Sequence, residues 1–98
     1  MKIIVQNGLN ESDGSIEDYI QRMIRLALSK AAANISSITF CLSDVMGKNG
    51  KYEKHCLLTI SLHNLANIVI EEAQPDLYVA IDRVIQKATR KLSRKLSS

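Results

Sequence analysis

The sequence predicts an α+β fold, a two-layer sandwich with the element order β-α-β-β-β-α. Three observations carry this. Two stretches repeat apolar residues at helical spacing, four shorter runs are β-rich or alternate as strands do, and turn-forming residues fall between them. Two helices and a sheet, each with a single apolar face, bury those faces only against one another, which makes two layers. A chain of 98 residues suits one such core, so a single domain over 1–98 is expected.

The elements follow in order. "KIIVQN" is a short β-rich run, stopped by "NGLNESDGS". Ser15 has the chemistry of a helix N-cap, with Asp18 three residues on in a capping-box position. Behind it Ile16, Tyr19, Ile20, Met23, Ile24, Ala27, Leu28 and Ala31 share one face, so a helix is expected over 15–33. "ISSITFCLSD" alternates, with Ile38, Phe40 and Leu42 facing one way and Thr39, Cys41 and Ser43 the other. An Asn-Gly turn in "GKNGK" suits a hairpin tip. "KHCLLTISLH" then places Cys56, Leu58, Ile60 and Leu62 on one face, and "NIVIEEA" is the last strand. Pro75 and Asp76 open a final helix over about 75–96, proline being tolerated in a first turn and an acid favoured at the positive end of the dipole.

That final helix has two distinct sides. At about 100° per residue, Leu77, Ala80, Ile81, Val84, Ile85, Ala88, Leu92 and Leu96 form one apolar face. Arg83, Lys87, Arg90 and Arg94 form a narrow stripe roughly 120° away, with Lys91 beside it and Lys95 next to the apolar face. Charge is concentrated here. Residues 1–82 carry seven Lys/Arg against ten Asp/Glu, and the last sixteen residues then add six cations and no acid. Such asymmetry points to an anionic partner.

Other chemistry is hard to place on this sequence. Cys41 and Cys56 are too few for a disulfide framework and fall on opposite faces of their sheet. His55 and Cys56 diverge across a strand, and His63 lies about 26 Å further along extended chain, so no metal site is expected. The acidic pairs Glu17/Asp18 and Glu71/Glu72 have no base, nucleophile or Gly-rich loop tied to them. No catalytic residue, cofactor or small-molecule substrate is therefore expected. "MKIIVQNGLNESD" has an apolar run of only three residues and no stretch nears the roughly 20 needed to span a bilayer, which points to a cytoplasmic protein with reduced thiols.

Three uses remain for the cationic run. Cations near a helix C-terminus satisfy the dipole and the last carbonyls, each contributing about 0.3–1 kcal/mol. That accounts for the final turn but not for Arg83 and Lys87 upstream, nor for the lack of interleaved acids. Nucleic-acid phosphates form the second use, and an acidic protein or a membrane surface the third. Membrane is the weakest, because the apolar face lacks Trp and Phe and the small core needs it.

"PDLYVAIDRVIQKATRKLSRKL" resembles the last helix of the ribosome hibernation promoting factor family, also called ribosome-associated inhibitor or sigma-54 modulation protein. Asp76, Leu77, Tyr78, Ala80, Ile81 and Asp82 match its Asp-(Leu/Met)-Tyr-x-Ala-Ile-Asp opening, and Asp18 and Tyr19 of "IEDYI" match a run in its first helix. Lys54, His55 and Cys56 resemble the basic-basic-Cys start of a strand in a branch with a longer loop between the second and third strands. The resemblance covers nearly the whole chain. It implies a four-stranded sheet with both helices packed on one face, and a short form lacking a further C-terminal module. It also implies a non-enzymatic partner of the small ribosomal subunit, bound through rRNA phosphates in the channel that mRNA and tRNA use, monomeric off the ribosome and inhibitory to translation in resting cells. On that reading the leading rRNA contacts are Lys87, Arg90, Lys91, Arg94 and Lys95, with Arg83 next. Arg22, Arg25 and Lys30 on the first helix, and Lys48, Lys51 and Lys54 at the hairpin, follow. Ala31 to Ala33 depart from the bulkier or basic residues of many members. The alternative on the same residues is a protein-interaction module that docks an acidic partner on the basic helix.

Overall fold

A computed structural model describes residues 1–9 and 14–97. Its elements are β1 (Lys2–Asn7), α1 (Ser15–Leu28), a 3-10 segment (Ser29–Asn34), β2 (Ile35–Met46), β3 (Tyr52–Leu62), β4 (Ile68–Gln74) and α2 (Leu77–Leu96). The sheet order is β1-β2-β3-β4. β1 and β2 are parallel because α1 carries the chain back between them, while the short connections after β2 and β3 make the other pairs antiparallel.

Both helices cover the same face of the sheet, as the resemblance implied. Ile38, Phe40 and Leu42 of β2 and Cys56, Leu58, Ile60 and Leu62 of β3 point into the core, matching the alternation in sequence. Ile16, Ile20, Ile24 and Leu28 descend from α1, and Ala80, Ile81, Val84, Ile85, Ala88 and Leu92 from α2. Each fully buried Ile, Leu or Phe side chain contributes about 1.5–3 kcal/mol relative to exposure. Cys41 sits on the open face, where its thiol donates to Gln6 Oε1 at 3.0 Å. Cys56 is buried opposite, and burial, with Glu72 nearby, pushes its thiol up to about 12.

Two expectations about α1 are corrected. Gly14, not Ser15, occupies the N-cap position, and glycine offers no side chain to cap the helix. The chain enters through a left-handed turn at Gly14, φ 81°, which glycine adopts without strain, so Ser15 is already the first helical residue. At the other end α-helix stops at Leu28 rather than at 33. No residue of the following "SKAAAN" is fully buried and only Ala31 packs against the core, so the α-helical register is weakly anchored and the backbone tightens into 3-10 winding before β2. Lys30 and Ala31 to Ala33 lie on that segment. α2 begins at Leu77, two residues inside the expected start, because Asp76 is the cap and its carboxylate accepts from the Val79 N–H at 3.0 Å.

The connection expected as a longer loop is mostly strand. β2 and β3 pair out to Met46 and Tyr52, leaving a turn of residues 47–51. Gly47 N–H donates to the Lys51 carbonyl at 2.7 Å, Lys51 N–H donates to Asn49 Oδ1 at 3.1 Å, and Gly50 takes φ 79°.

Candidate nucleic-acid interface

The α2 sequence places its cations by simple geometry. Positions 83, 87, 90 and 94 fall on one ridge of a helix whose opposite side is held in the core from Ala80 to Leu92. Arg83, Lys87, Arg90, Lys91 and Arg94 are all exposed, and Lys95 is half-buried beside the apolar face. Lys87, Arg90, Lys91 and Arg94 line one shallow groove along β4, with Ile70 as its apolar floor. Arg83 and Arg90 also border a second groove that separates α2 from α1 over Met23 and Ala27. Arg90 thus belongs to both.

One of these cations has an internal partner. Continuing the alternation of β4, Ile68, Ile70, Glu72 and Gln74 all face the helices, so an acid lands on the core side of the sheet. The Glu72 side chain is 9% exposed and is ion-paired with Lys87. Gln74 Nε2 donates to its other oxygen at 2.7 Å. The hydrogen bond from Lys87, then that from Gln74, hold the Glu72 carboxyl below its usual range, against the opposing effect of burial, and Arg83 adds a smaller pull. Lys87 therefore neutralises a nearly buried carboxylate as well as facing the groove. Arg90, Lys91 and Arg94 form no ion pair among the described residues.

The first helix uses its cations differently. Arg22 lies over the Tyr19 ring, 5.8 Å from its centroid. Tyr19 Oη donates to Asp82 Oδ1 at 2.8 Å, and its ring meets Tyr78 edge to face at 4.9 Å. The hydrogen bond to Asp82 is the main reason the Tyr19 phenol is held above its usual pKa. Tyr19, Tyr78 and Asp82, three residues of the two recognised segments, thus form one clamp between α1 and the start of α2. Arg25 is exposed, and Lys30 stands on the 3-10 segment at the far end of the interhelical groove.

The hairpin lysines are elsewhere. Lys54 is ion-paired with Asp44 at 2.8 Å, and Lys48 and Lys51 are exposed at the turn. Glu72 pairs with Cys56 across the sheet, and Tyr52 is four residues further along β3, about 13 Å at about 3.3 Å per residue. The structure therefore brings Lys87, Arg90, Lys91 and Arg94 together and leaves Lys48 and Lys51 apart from them. Sequence reasoning takes Glu72 only as half of an acidic pair and does not single out Ile70 or Gln74, although the period of two through "IVIEEAQ" marks all three as facing the helices.

The family model described as Sigma 54 modulation protein / S30EA ribosomal protein matches residues 4–97. The chain belongs to that family. Members are ribosome-associated modulation and hibernation factors rather than enzymes, a role carried out in the cytoplasm. The fold agrees. The N-terminal domain of Protein Y from Thermus thermophilus superposes with a TM-score of 0.74 at 23% identity, covering 96% of this chain and 98% of that one. A ribosomal subunit interface protein from Coxiella burnetii superposes at 0.71 with 18% identity over 100% of both chains. No curated protein sequence matches the chain. Among the described residues no helix is long and apolar enough to cross a membrane.

Proposed function

We propose that this family member binds the small ribosomal subunit in the channel used by mRNA and tRNA, holding rRNA phosphates on α2 and so blocking translation. The observation that supports this is the groove in which Lys87, Arg90, Lys91 and Arg94 converge over Ile70. Four cations on one rigid ridge present a fixed pattern of charge, and binding of this kind draws most of its affinity from sequence-independent phosphate contacts. Arg90, Lys91 and Arg94 are the leading contacts, with Arg83 beside them and Lys87 contributing while paired to Glu72. Selection of the site then comes from shape, since the RNA must offer phosphates at the spacing of the ridge. A rigid domain that fills the channel needs no chemistry to stop initiation, because occupancy excludes the other ligands. Off the ribosome the chain is a monomer.

Co-sedimentation with purified small subunits tests this. Binding is expected at moderate salt, with log K falling against log salt at a slope of about −3 if roughly four phosphates are neutralised. Absence of binding at every salt concentration overturns the proposal. Binding to an acidic protein but not to subunits would assign the ridge to protein docking instead.

A further inference from the structure

The β2–β3 hairpin carries groups that the α2 groove does not use. β1 ends opposite Leu42 and β4 opposite Lys54, while β2 and β3 continue through the pairs Val45–Glu53 and Met46–Tyr52. These pairs and the turn at 47–51 form a two-stranded arm beyond the four-stranded sheet. Alternation from Leu42 and Cys56 puts Met46 and Tyr52 on the helix side, yet they are uncovered, at 58% and 68% exposed. They oppose each other in the ladder, which brings their side chains into contact range and makes one apolar platform. The Asp44–Lys54 ion pair lies on the same face in the next row and separates the platform from the core.

Charge at the tip has one sign. Between Val45 and Tyr52 there are two cations, Lys48 and Lys51, and no acid. Glu53 is the nearest acid in sequence, and it belongs to the opposite face with its side chain against Gly47. The bonds from Gly47 N–H to the Lys51 carbonyl and from Lys51 N–H to Asn49 Oδ1 fix the turn, so the lysines and the ring are presented on a defined frame. An exposed aromatic ring at the foot of a turn that carries two exposed lysines matches an unpaired nucleotide, whose base offers a flat face and whose phosphates offer charge.

We propose that this arm is a second RNA contact, in which Tyr52, backed by Met46, stacks on an unpaired base while Lys48 and Lys51 hold the flanking phosphates. That the RNA is ribosomal rests on the function proposed above; the stacking does not. Because the platform lies about 13 Å along β3 from the row of Glu72, it meets a different stretch of RNA from the one on α2. The chain then bridges two RNA segments.

The chain contains no Trp and three Tyr, at 19, 52 and 78. A Tyr19→Phe/Tyr78→Phe variant therefore leaves Tyr52 as the sole strong emitter. Titration with an eight-nucleotide oligouridylate at low salt is expected to quench that emission saturably, and inorganic polyphosphate is expected to leave it unchanged. On purified small subunits, Tyr52→Ala is expected to weaken binding about tenfold with the salt slope unchanged, and Tyr52→Phe to restore it. Lys48→Ala/Lys51→Ala should instead flatten the slope by about one to two units. No quenching by the oligonucleotide overturns the proposal, as does equal quenching by polyphosphate. Weakened subunit binding by Tyr52→Ala without oligonucleotide quenching assigns the arm to a protein surface and also overturns it. Quenching that persists when subunits fail to bind leaves stacking intact and removes the ribosomal reading alone.

Discussion

α1 and α2 lie side by side on one face of one sheet, each amphipathic and each carrying cations on its outer side, yet they hold charge in different ways. On α1, Arg22 covers the Tyr19 ring, Arg25 is exposed with no ion pair among the described residues, and Lys30 falls on the 3-10 segment where the α-helical period is lost. On α2, twenty residues of uninterrupted helix keep Arg83, Lys87, Arg90 and Arg94 on one ridge. The difference follows from anchoring. Buried residues run along α2 from Ala80 to Leu92, so its period is enforced almost to the end, whereas α1 has no buried residue after Leu28. A charge pattern on a helix is only as regular as the core face beneath it, and that makes α2 the better template for fixed phosphates.

Charge inversion gives the largest expected contrast between the helices. On the proposed function, Arg90→Glu with Arg94→Glu removes two charge-assisted contacts, each about 1.5–3 kcal/mol. At tenfold per about 1.4 kcal/mol, affinity for small subunits should fall by about a hundredfold or more. Arg22→Glu with Arg25→Glu should cost less than about tenfold, since Arg22 is engaged with Tyr19 and Arg25 is not on the ridge. Thermal unfolding should be nearly unchanged for the α2 pair, as both side chains are exposed. Equal losses from the two helices in a sedimentation assay would dissolve the distinction.

Lys87 separates binding from folding within α2 itself. Replacing it with Met leaves the Glu72 carboxylate nearly buried without its cation. Because Lys87 is 52% exposed, the loss should be on the order of 1–2 kcal/mol rather than the 3–5 of a fully buried pair. For a domain of this size that lowers Tm by about 4–8 °C per kcal/mol. The sign with pH follows from the depressed carboxyl of Glu72. Its contribution is complete above the ordinary carboxylate range and is lost as pH falls from there through the folded-state pKa, because the unfolded chain binds the proton first. Wild type should therefore lose stability on acidification more steeply than Glu72→Gln, measured by Tm between neutral pH and pH 3. Parallel curves would mean that the pair contributes nothing to the fold.

Most of this architecture is legible in the sequence because its signals are periodic. The order of elements, the inward residues of β2 and β3 and the apolar face of α2 all follow from spacing. What spacing does not carry is the partner of a polar side chain. Glu72 looks like one half of a surface acidic pair until β4 is laid against α2, and Lys54 looks like a tip cation until Asp44 is found across the ladder. At the N-terminus of α1, Ser15 has the chemistry of a cap, but the turn requires a residue at positive φ, which Gly14 supplies. The convergence of Arg90, Lys91 and Arg94 over Ile70 depends on the crossing of helix and edge strand, a tertiary fact.

The smallest effect sharpens how the two helices are joined. Tyr19→Phe keeps the edge-to-face contact with Tyr78 and the ring beneath Arg22 but removes the hydrogen bond to Asp82. That bond is exposed and solvent competes for both partners, so its removal should cost only about 0.5 kcal/mol, below the range for a bond to a charged acceptor. Asp82 is still solvated afterwards, and ribosome binding should be unchanged. The alkaline side gives the sharper readout. The Tyr19 phenol is held above its usual pKa, so the folded chain keeps a proton that the unfolded chain releases near pH 10. Its contribution is complete below that pH and disappears as pH rises through the folded-state value. The difference in Tm between wild type and Tyr19→Phe should therefore shrink above pH 10, while lysine titration affects both proteins alike. A difference that stays constant there would mean that the clamp between α1 and α2 rests on ring packing and not on the hydroxyl.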